Sequence, residues 1–179
     1  MVAAVPVTIR RLAREDDTQD FRAPAVFQRF LREFARQNQD RHHVGTTYVA
    51  VLDDRRVVGY ATVAITSVEF SVLPHAVRKR LPGYPLPALR LGQLAVDERH
   101  EGQGIGGALL RHVLLLAIEL SEKAGCIGVI VDSVPDKVDW YARRSFMPLQ
   151  ATIGESALKP TTTAMFLPLA AIRALAPAS

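Results

Sequence analysis

The sequence has few of the residues that build disulfide frameworks, metal centres or membrane spans. A single cysteine among 179 residues excludes an internal disulfide framework and any multi-cysteine metal site. The five histidines show no metal-ligand spacing, so no metal is expected. No apolar run approaches the roughly 20 residues that a bilayer span requires. We therefore expect one cytoplasmic domain, residues 1–179, without membrane contact.

The charge balance is equally modest. Lysine and arginine number 22 against 18 acidic residues, a formal net charge of +4. A charge this small does not by itself indicate nucleic-acid binding. Most of the positive residues are arginine, whose guanidinium matches phosphate geometry well.

Hydrophobic periodicity predicts an α/β chain in the order β, α, β, β, loop, β, α, β, α, β, β. The predicted strands are 6–12, 47–52, 57–65, 89–96, 126–131, 146–149 and 164–169, and the predicted helices are 25–37, 104–123 and 136–144. A charged hairpin turn is expected at 53–55 and a polar loop at 38–45. The proline-rich segment 71–87 is expected to be an irregular loop apart from a short helix around 75–80. The long helix 104–123 is apolar nearly all round, which predicts that it is buried. This order indicates a mixed sheet of six to seven strands, mostly antiparallel, with helices on both faces.

The most informative stretch is residues 91–110. An apolar extended run, Leu91–Asp97, leads through the glycine-rich segment Gly102–Gly107 into the long helix. Glycines allow positive φ and a close approach of the backbone to an anion, and the first N–H groups of a helix point at it. The stretch therefore predicts a binding site for a phosphorylated ligand.

A dinucleotide is one interpretation of this turn. Gly102, Gly104 and Gly107 satisfy G-x-G-x-x-G, and Asp132 ends the next strand, where a ribose-binding carboxylate would lie. That fingerprint normally opens its domain, whereas three predicted strands and a helix precede it here. Too little chain follows for a doubly wound sheet, which disfavours this interpretation.

Three ordered motifs make the chain similar to the GCN5-related N-acetyltransferases (GNAT). Residues 101–106, Glu-Gly-Gln-Gly-Ile-Gly, match the family's pyrophosphate motif Gln/Arg-x-x-Gly-x-Gly/Ala. Leu94–Asp97, with Val57–Tyr60 before it, resembles the central strand and the strand that precedes it, and Trp140–Phe146 resembles the family's Phe-Tyr-x-x-x-Gly-Phe segment. The resemblance implies a sheet splayed beside the central strand, with acetyl-CoA as cosubstrate in the split.

The resemblance also implies roles for individual residues. The main chain at 94–96 would bond the pantetheine like an added strand and polarise the thioester carbonyl, and the amides at 102–107 would hold the pyrophosphate. Tyr141 would protonate the departing thiolate after direct attack by a neutral amine, although it is also compatible with a packing aromatic beside Trp140. The implied cofactor-binding residues are Leu94, Ala95, Val96, Gly102, Gln103, Gly104, Ile105, Gly106 and Gly107.

Two residues depart from the family motifs, and two carboxylates are candidates for a further catalytic role. Glu101 occupies the motif's Gln/Arg position, where a carboxylate would repel a pyrophosphate unless it points away or pairs with an arginine. Ser145 replaces the usual glycine before Phe146, so the turn either avoids positive φ or tolerates mild strain. Glu69 and Asp97 are candidate general bases, although a carboxylate near a strand end is usually solvated.

A narrower resemblance concerns the amine that is acetylated. Residues 81–97, 30–38 and 47–50 are similar to the acetyltransferase toxins of bacterial toxin–antitoxin pairs. Those toxins acetylate the α-amine of aminoacyl-tRNA and are neutralised by a ribbon-helix-helix antitoxin. An α-amine titrates near pH 8 and needs less help from a base than lysine, at about 10.4. A small-molecule or protein amine, CoA binding without turnover, and a homodimer stay open as alternatives.

An aminoacyl-tRNA acceptor would bring phosphates to basic residues. The substrate-binding candidates are Arg78, Lys79, Arg80 and Arg143, and further candidates are Arg29, Arg32, Arg36, Arg41 and Arg144. Each cluster is equally compatible with a solvated charged face.

Overall fold

A computed structural model describes residues 5–53, 55–149 and 162–176 and confirms a mixed α/β fold. Its strands are β1 Thr8–Arg11, β2 Thr46–Leu52, β3 Arg56–Val68, β4 Leu86–Val96, β5 Gly128–Ser133, β6 Met147–Pro148 and β7 Thr163–Pro168. Within the described ranges they form one seven-stranded sheet in the order β1-β2-β3-β4-β5-β7-β6. The pairs β1–β2, β2–β3, β5–β7 and β6–β7 are antiparallel, which agrees with the expected mostly antiparallel sheet.

The helices are α1 Ala25–Arg29, α2 Ala35–Gln37, α3 His75–Arg78, α4 Ile105–Lys123, α5 Val138–Ala142 and α6 Leu169–Leu175. Sequence periodicity did not predict α6. In the described part of the chain, no helix is both long and apolar enough to cross a membrane.

The first long helical stretch extends further than predicted. π-helical turns at Phe30–Phe34 and Asn38–His42 make residues 25–42 continuous with α1 and α2, so the predicted polar loop from 38 is wrong. The buried amide of Gln39 explains the difference: it donates to the Leu12 carbonyl at 3.0 Å and accepts from the Thr47 N–H at 3.1 Å. In the sequence, a buried polar residue whose hydrogen bonds are made within the protein cannot be distinguished from a loop residue.

Two further boundaries differ from the prediction. β4 begins at Leu86 rather than 89, because Pro87 still offers a ladder acceptor: its carbonyl accepts the Ile127 N–H at 2.9 Å. α4 is not buried all round. Ile105, Leu109, Val113 and Ala117 are buried and recur every four positions, with Leu110 buried beside them, whereas Leu115 is 46% exposed. Asp54 of the predicted hairpin turn lies outside the described residues.

The first of two compact units contains the described residues up to Ala64 together with Leu91–Val113. β1 and β3 flank β2 in it, with Ile9 opposite Ala50 and Thr47 opposite Thr62. The core of this unit is formed by Leu12, Phe21, Ala23, Leu31, Ala35, Val49, Val51, Val57 and Tyr60.

The second unit contains Ile65–Arg90 together with the described residues after Val113. β7 lies between β5 and β6, with Ile130 opposite Phe166 and Met147 opposite Phe166 on the other side. The core of this unit is formed by Val68, Leu73, Leu86, Ala88, Ile130 and Phe166.

Candidate active site

The central strand β4 ends at a buried carboxylate. Asp97 is 0% exposed, and its N–H donates to the Val58 carbonyl of β3 at 2.9 Å. Its carboxylate accepts the backbone N–H groups of Arg22 and Arg99, both at 2.9 Å, and the Arg99 guanidinium at 2.9 and 2.7 Å. These bonds hold the chain at the point where Leu94–Val96 passes into the glycine-rich turn.

Asp97 is not available as a general base. Burial by itself would raise the pKa of its carboxyl, but the hydrogen bonds from Arg99 and from the backbone N–H groups of Arg22 and Arg99 outweigh burial and lower the pKa. A carboxylate with a lowered pKa and occupied lone pairs accepts no proton from a substrate. The expectation of a solvated carboxylate is wrong here, because Arg22 comes from 75 residues earlier in the chain. Glu69 is exposed just after β3.

The glycine-rich turn has the predicted backbone. Gly102 and Gly104 have φ angles of 73° and 82°, and no heavy atom lies within 4 Å of the position that a Cβ would take at either. The first α4 bond runs from the Ala108 N–H to the Gly104 carbonyl at 3.0 Å, so the N–H groups at 105–107 have no acceptor within the helix. An open turn followed by free helix N–H groups fits a pyrophosphate.

The side chains around this turn leave it accessible. Glu101 is exposed and does not pair with Arg99, whose guanidinium bonds Asp97 and Asp20 instead. Among the described residues, Gln103 Oε1 is buried without a hydrogen-bond partner. The turn therefore contains an unsatisfied polar atom beside backbone donors, as expected of a ligand site.

Close packing sets the position of α4. A Cβ at Gly59 would lie 2.9 Å from Ile105 Cγ2, 3.0 Å from Leu109 Cδ1 and 3.3 Å from the Ala95 carbonyl oxygen. Only glycine allows β3 to approach the first turns of α4 this closely. The Val57–Tyr60 motif thus places the helix start beside the end of β4.

Tyr141 lies on α5 in the second unit. Its side chain is 6% exposed and contacts two aromatic rings edge to face, Trp140 at 4.9 Å and Phe146 at 5.3 Å between ring centroids. Burial raises the pKa of Tyr141 to about 12, against a smaller lowering by Arg144. The phenol therefore keeps its proton throughout the physiological range, and within the described ranges no protein group hydrogen-bonds its hydroxyl.

The turn after α5 tolerates strain rather than avoiding it. Ser145 has a φ of 68°, its N–H donates to the Ala142 carbonyl at 3.0 Å, and the Phe146 N–H donates to the Tyr141 carbonyl at 3.2 Å. This pair of bonds with a left-handed residue is the Schellman C-cap, which usually contains glycine. The cap brings Phe146 back onto the Tyr141 ring.

The family model described as "Acetyltransferase (GNAT) domain" matches residues 43–148. The chain belongs to the GNAT family. It is an acyl-CoA-dependent N-acetyltransferase, and its acetyl donor is acetyl-CoA.

Toxins are among the relatives of this acetyltransferase. It is 29% identical over 130 residues, 72% of this chain and 76% of the relative, to a tRNA-acetylating toxin of Mycobacterium tuberculosis. It is 30% identical over 131 residues, 72% of this chain and 71% of the relative, to a probable toxin TacT of Sinorhizobium fredii. A solved structure of AtaT complexed with acetyl-methionyl-tRNA superposes with a TM-score of 0.81 at 27% identity, over 95% of this chain and 99% of that one.

The four substrate-binding candidates of the acetyltransferase lie in the second unit. Lys79, Arg80 and Arg143 are exposed, and Arg78 is half-buried beneath the Phe70 ring, 5.8 Å from its centroid. None of the four forms an ion pair with a described residue, and Arg78 Nε is buried without a partner. Their charges are therefore available to a ligand.

The arginines near the first helices have other roles. Arg32 donates to the carbonyls of Gln19 at 2.5 Å and Phe21 at 2.9 Å, and Arg36 donates to the Asp16 carbonyl at 2.5 Å. These two side chains hold the segment 13–21, so the prediction of phosphate contacts at Arg32 and Arg36 is not supported. Arg29 pairs with Glu33 on the same helical stretch at 2.9 Å, and Arg41 is exposed.

The acetyltransferase thus has its cofactor candidates, 94–96 and 102–107, in the first unit, and Tyr141 with the basic candidates in the second. Asp132, weighed above as a ribose ligand, is instead paired with Arg90 of β4. Sequence reasoning also missed the side chain of Gln93, which bonds Tyr60. Its place immediately before the central-strand motif Leu94–Asp97 was the available signal.

Proposed function

We propose that this acetyltransferase transfers the acetyl group of acetyl-CoA to the α-amine of an aminoacyl-tRNA. The observation that carries the cofactor half is the open turn with positive φ at Gly102 and Gly104 before the free N–H groups of α4. The acceptor is supported by basic side chains without an internal partner in the second unit, and by similarity to a toxin named for tRNA acetylation.

The chain's own groups bind and orient the donor in this proposal. The main chain of Leu94, Ala95 and Val96 hydrogen-bonds the pantetheine as an added strand, and the backbone N–H groups of residues 102–107 hold the pyrophosphate. Acetyl-CoA supplies the activated thioester that the amine attacks. Glu101 interferes little, because its carboxylate is exposed to water and screened.

Tyr141 is the proposed catalytic acid. Its buried phenol holds a proton that it donates to the thiolate sulfur as the thioester bond breaks. A phenol with a pKa of about 12 is a weak acid for a thiolate of ordinary pKa, about 8.5. A thiolate forming in similarly dry surroundings is more basic than usual, because desolvation raises its pKa as well.

A side-chain base is not needed for this acceptor. About half of the α-amine of an aminoacyl ester is neutral near pH 8, and Asp97 is occupied by its hydrogen bonds. The neutral amine therefore enters already able to attack. Its excess proton leaves to water, and the Tyr141 phenolate regains a proton from water. Lysine acceptors would need a base that the described residues do not provide at this strand end.

Partners and location follow from the same proposal. A tRNA-acetylating enzyme would arrest translation in its own cell, so we expect a neutralising ribbon-helix-helix antitoxin and a cytoplasmic location. A homodimer is compatible with exposed apolar side chains such as Ile65, 67% exposed, and Leu175, 54% exposed.

Acetyl transfer tests the proposal directly. The purified protein is incubated with [acetyl-14C]CoA and, in parallel, aminoacyl-tRNA, uncharged tRNA, a polyamine and a lysine peptide. Label should appear on aminoacyl-tRNA alone and should be released by hydrolysis of the aminoacyl ester. Label on the polyamine or the peptide instead would replace the acceptor, and acetyl-CoA binding without labelling of any amine would reject turnover.

The Tyr141→Phe variant tests the acid. We expect kcat to fall by a factor of about 100 to 1,000 with unchanged affinity for acetyl-CoA. Trp140→Phe is the matched control, since it alters an aromatic ring on the same helix and introduces the family's residue. Equal effects of the two substitutions would make Tyr141 a packing residue.

The pH dependence gives a second test of Tyr141. The rate should rise as the acceptor α-amine loses its proton near pH 8 and then level off. With a pKa of about 12, Tyr141 stays protonated up to about pH 11, so no alkaline decline should arise from it. A decline centred near pH 10 that Tyr141→Phe abolishes would show an ordinary exposed phenol.

A further inference from the structure

Tyr60 connects the core of the first unit to the side chain of Gln93 on β4. Its ring is 0% exposed, stacks on Phe30 at 6.1 Å and meets Phe21 edge to face at 5.6 Å between centroids. Its hydroxyl lies 2.9 Å from the Phe27 carbonyl oxygen and 2.6 Å from Gln93 Oε1. Both neighbours are acceptors, whereas the hydroxyl has one proton.

The distances decide where that proton goes. A separation of 2.6 Å lies in the range of O–H···O bonds and below the usual N–H···O range of about 2.7 to 3.2 Å. The Phe27 carbonyl already accepts the Phe30 N–H. Tyr60 therefore donates to Gln93 Oε1, and this short bond fixes the plane of the Gln93 amide.

The other end of the amide is then a donor aimed away from Tyr60. Gln93 is half-buried although Tyr60 is fully buried, and no group in the described part of the chain hydrogen-bonds the Gln93 NH2. A hydrogen bond received at Oε1 also polarises the amide and strengthens its N–H donors. The result is an oriented, unoccupied donor on β4.

Gln93 is also placed beside the proposed reaction centre. It immediately precedes Leu94–Val96, and strand residues advance by about 3.3 Å each. A group bound along 94–96 therefore comes within reach of the Gln93 side chain. An amine attacking a thioester there must lie within about 3.5 Å of its carbon, and an aminoacyl acceptor has a carbonyl oxygen on the carbon next to the amine.

We propose that the Gln93 NH2 donates a hydrogen bond to the acceptor's carbonyl and thereby selects α-aminoacyl groups over simple alkylamines. Gln93 is a specificity-determining residue in this proposal, and Tyr60 is the residue that positions it. The inference rests on the proposed acetyl transfer to an α-amine. Polyamines and lysine side chains lack the neighbouring carbonyl, so they gain nothing from this donor.

A pair of minimal acceptors tests the selectivity. Leucine amide and isopentylamine share the same alkyl chain, and only leucine amide has the carbonyl. The two amines differ in pKa, so the carbonyl is isolated by the change in the ratio of their kcat/KM values between wild type and variant at one pH, in which that difference cancels. Gln93→Glu keeps the shape and the bond from Tyr60 but loses the NH2, and we expect it to lower the ratio about tenfold.

Two further variants control for a loss of selectivity that is caused by misfolding. Gln93→Leu should lower the ratio to a similar extent, whereas Tyr60→Phe, which leaves the Gln93 donor in place but unfixed, should lower it less. A wild-type ratio in all three folded variants, with only stability reduced, would overturn the proposal and leave Gln93 as a support for Tyr60.

A binding measurement separates this inference from the proposed function. The side-chain NH2 resonances of Gln93 in 15N-labelled protein, assigned by their loss in Gln93→Leu, should shift on titration with leucine amide and stay in place with isopentylamine. Such a shift without any acetyl transfer would reject the proposed function and keep this site. Absence of the shift in a protein that acetylates leucine amide would reject the site alone.

Discussion

Three arginines of the first compact unit and the four substrate-binding candidates of the second have different partners. Arg32, Arg36 and Arg99 donate to carbonyls and carboxylates of the unit that contains them. Lys79 and Arg143, like the other two candidates of the second unit, have no ion pair with a described residue. Residues of the same charge thus have different roles, because a guanidinium whose N–H donors are occupied cannot also bind a phosphate.

The difference has a structural cause. Residues 13–21 contain no strand or helix, so their backbone carbonyls need donors from elsewhere. Arg32 and Arg36 supply those donors from the neighbouring helical stretch. Arg78 instead ends the short helix α3, and Lys79 and Arg80 follow it. The turn of this helix already pairs the Pro74 carbonyl with the N–H groups of Val77 and Arg78, so the three side chains retain free donors.

The largest expected effect concerns the partner of Arg99. Asp97→Ala removes the acceptor of two backbone N–H groups and one guanidinium, and we expect the free energy of unfolding to fall by about 3 kcal/mol. The midpoint of urea denaturation measures it. Glu98→Ala, at the exposed carboxylate next in the chain, should change it by less than about 0.5 kcal/mol. Similar effects of both variants would show that Asp97 does not anchor the unit.

The same carboxylate predicts a pH dependence. The pKa of Asp97 is lower in the folded protein than in the unfolded chain, so its stabilisation is complete above the unfolded pKa, about 3.9, and is lost as pH falls towards the folded pKa. The stability difference between wild type and Asp97→Asn should therefore shrink between about pH 5 and pH 2. A difference independent of pH would contradict the assigned ionisation.

Arg32 and Arg36 should act on stability alone. We expect Arg32→Gln and Arg36→Gln each to lower the free energy of unfolding by about 1 kcal/mol, since both side chains are partly exposed to water. The salt dependence of tRNA acetylation should be unchanged, because neither guanidinium is free for a phosphate. A weaker salt dependence in either variant would remove the contrast between the two units.

Neutralising Arg78, Lys79 and Arg80 should change the kinetics on tRNA and leave stability unchanged. The triple change Arg78→Gln, Lys79→Gln and Arg80→Gln should raise KM for aminoacyl-tRNA about tenfold and flatten the slope of log KM against log salt by up to about 2. The free energy of unfolding and the affinity for acetyl-CoA should stay at their wild-type values. An unchanged rate on tRNA at every salt concentration would assign these residues to a solvated face.

The smallest expected effect is a gain of stability in the second unit. Ser145 holds a φ of 68°, and Ser145→Gly should raise the free energy of unfolding by up to about 1 kcal/mol by removing the Cβ from a left-handed residue. Ser145→Ala is the control, because it removes the hydroxyl and keeps the Cβ. Thermal unfolding distinguishes them, and a gain in both variants would mean that the hydroxyl, not the backbone, carries the strain.

Local features were predictable from the sequence. The turn at Gly102 and Gly104 was predictable, because positive φ before a helix favours glycine and the glycines are close neighbours in the sequence. The hairpin β2–β3 and most of α4 followed from periodicity for the same reason. The helical extension through Asn38–His42 was missed. The side-chain amide of Gln39 is hydrogen-bonded by the backbones of Leu12, 27 residues earlier, and Thr47, 8 residues later, and neither partner lies in the polar run itself.

The candidate functional residues also divide into those that the sequence indicated and those whose role only the structure showed. The motifs alone determined the family, and they marked the turn at Gly102 and Gly104 and the side chain of Tyr141 as candidates, since each motif depends on residue types at short, fixed spacing. Only the tertiary structure decided that Asp97 is an anchor rather than a base, that Arg32 and Arg36 are internal donors, and that Tyr60 orients Gln93. A polar side chain acquires its role from the groups that surround it, and folding brings some of those groups together from as far as 75 residues away.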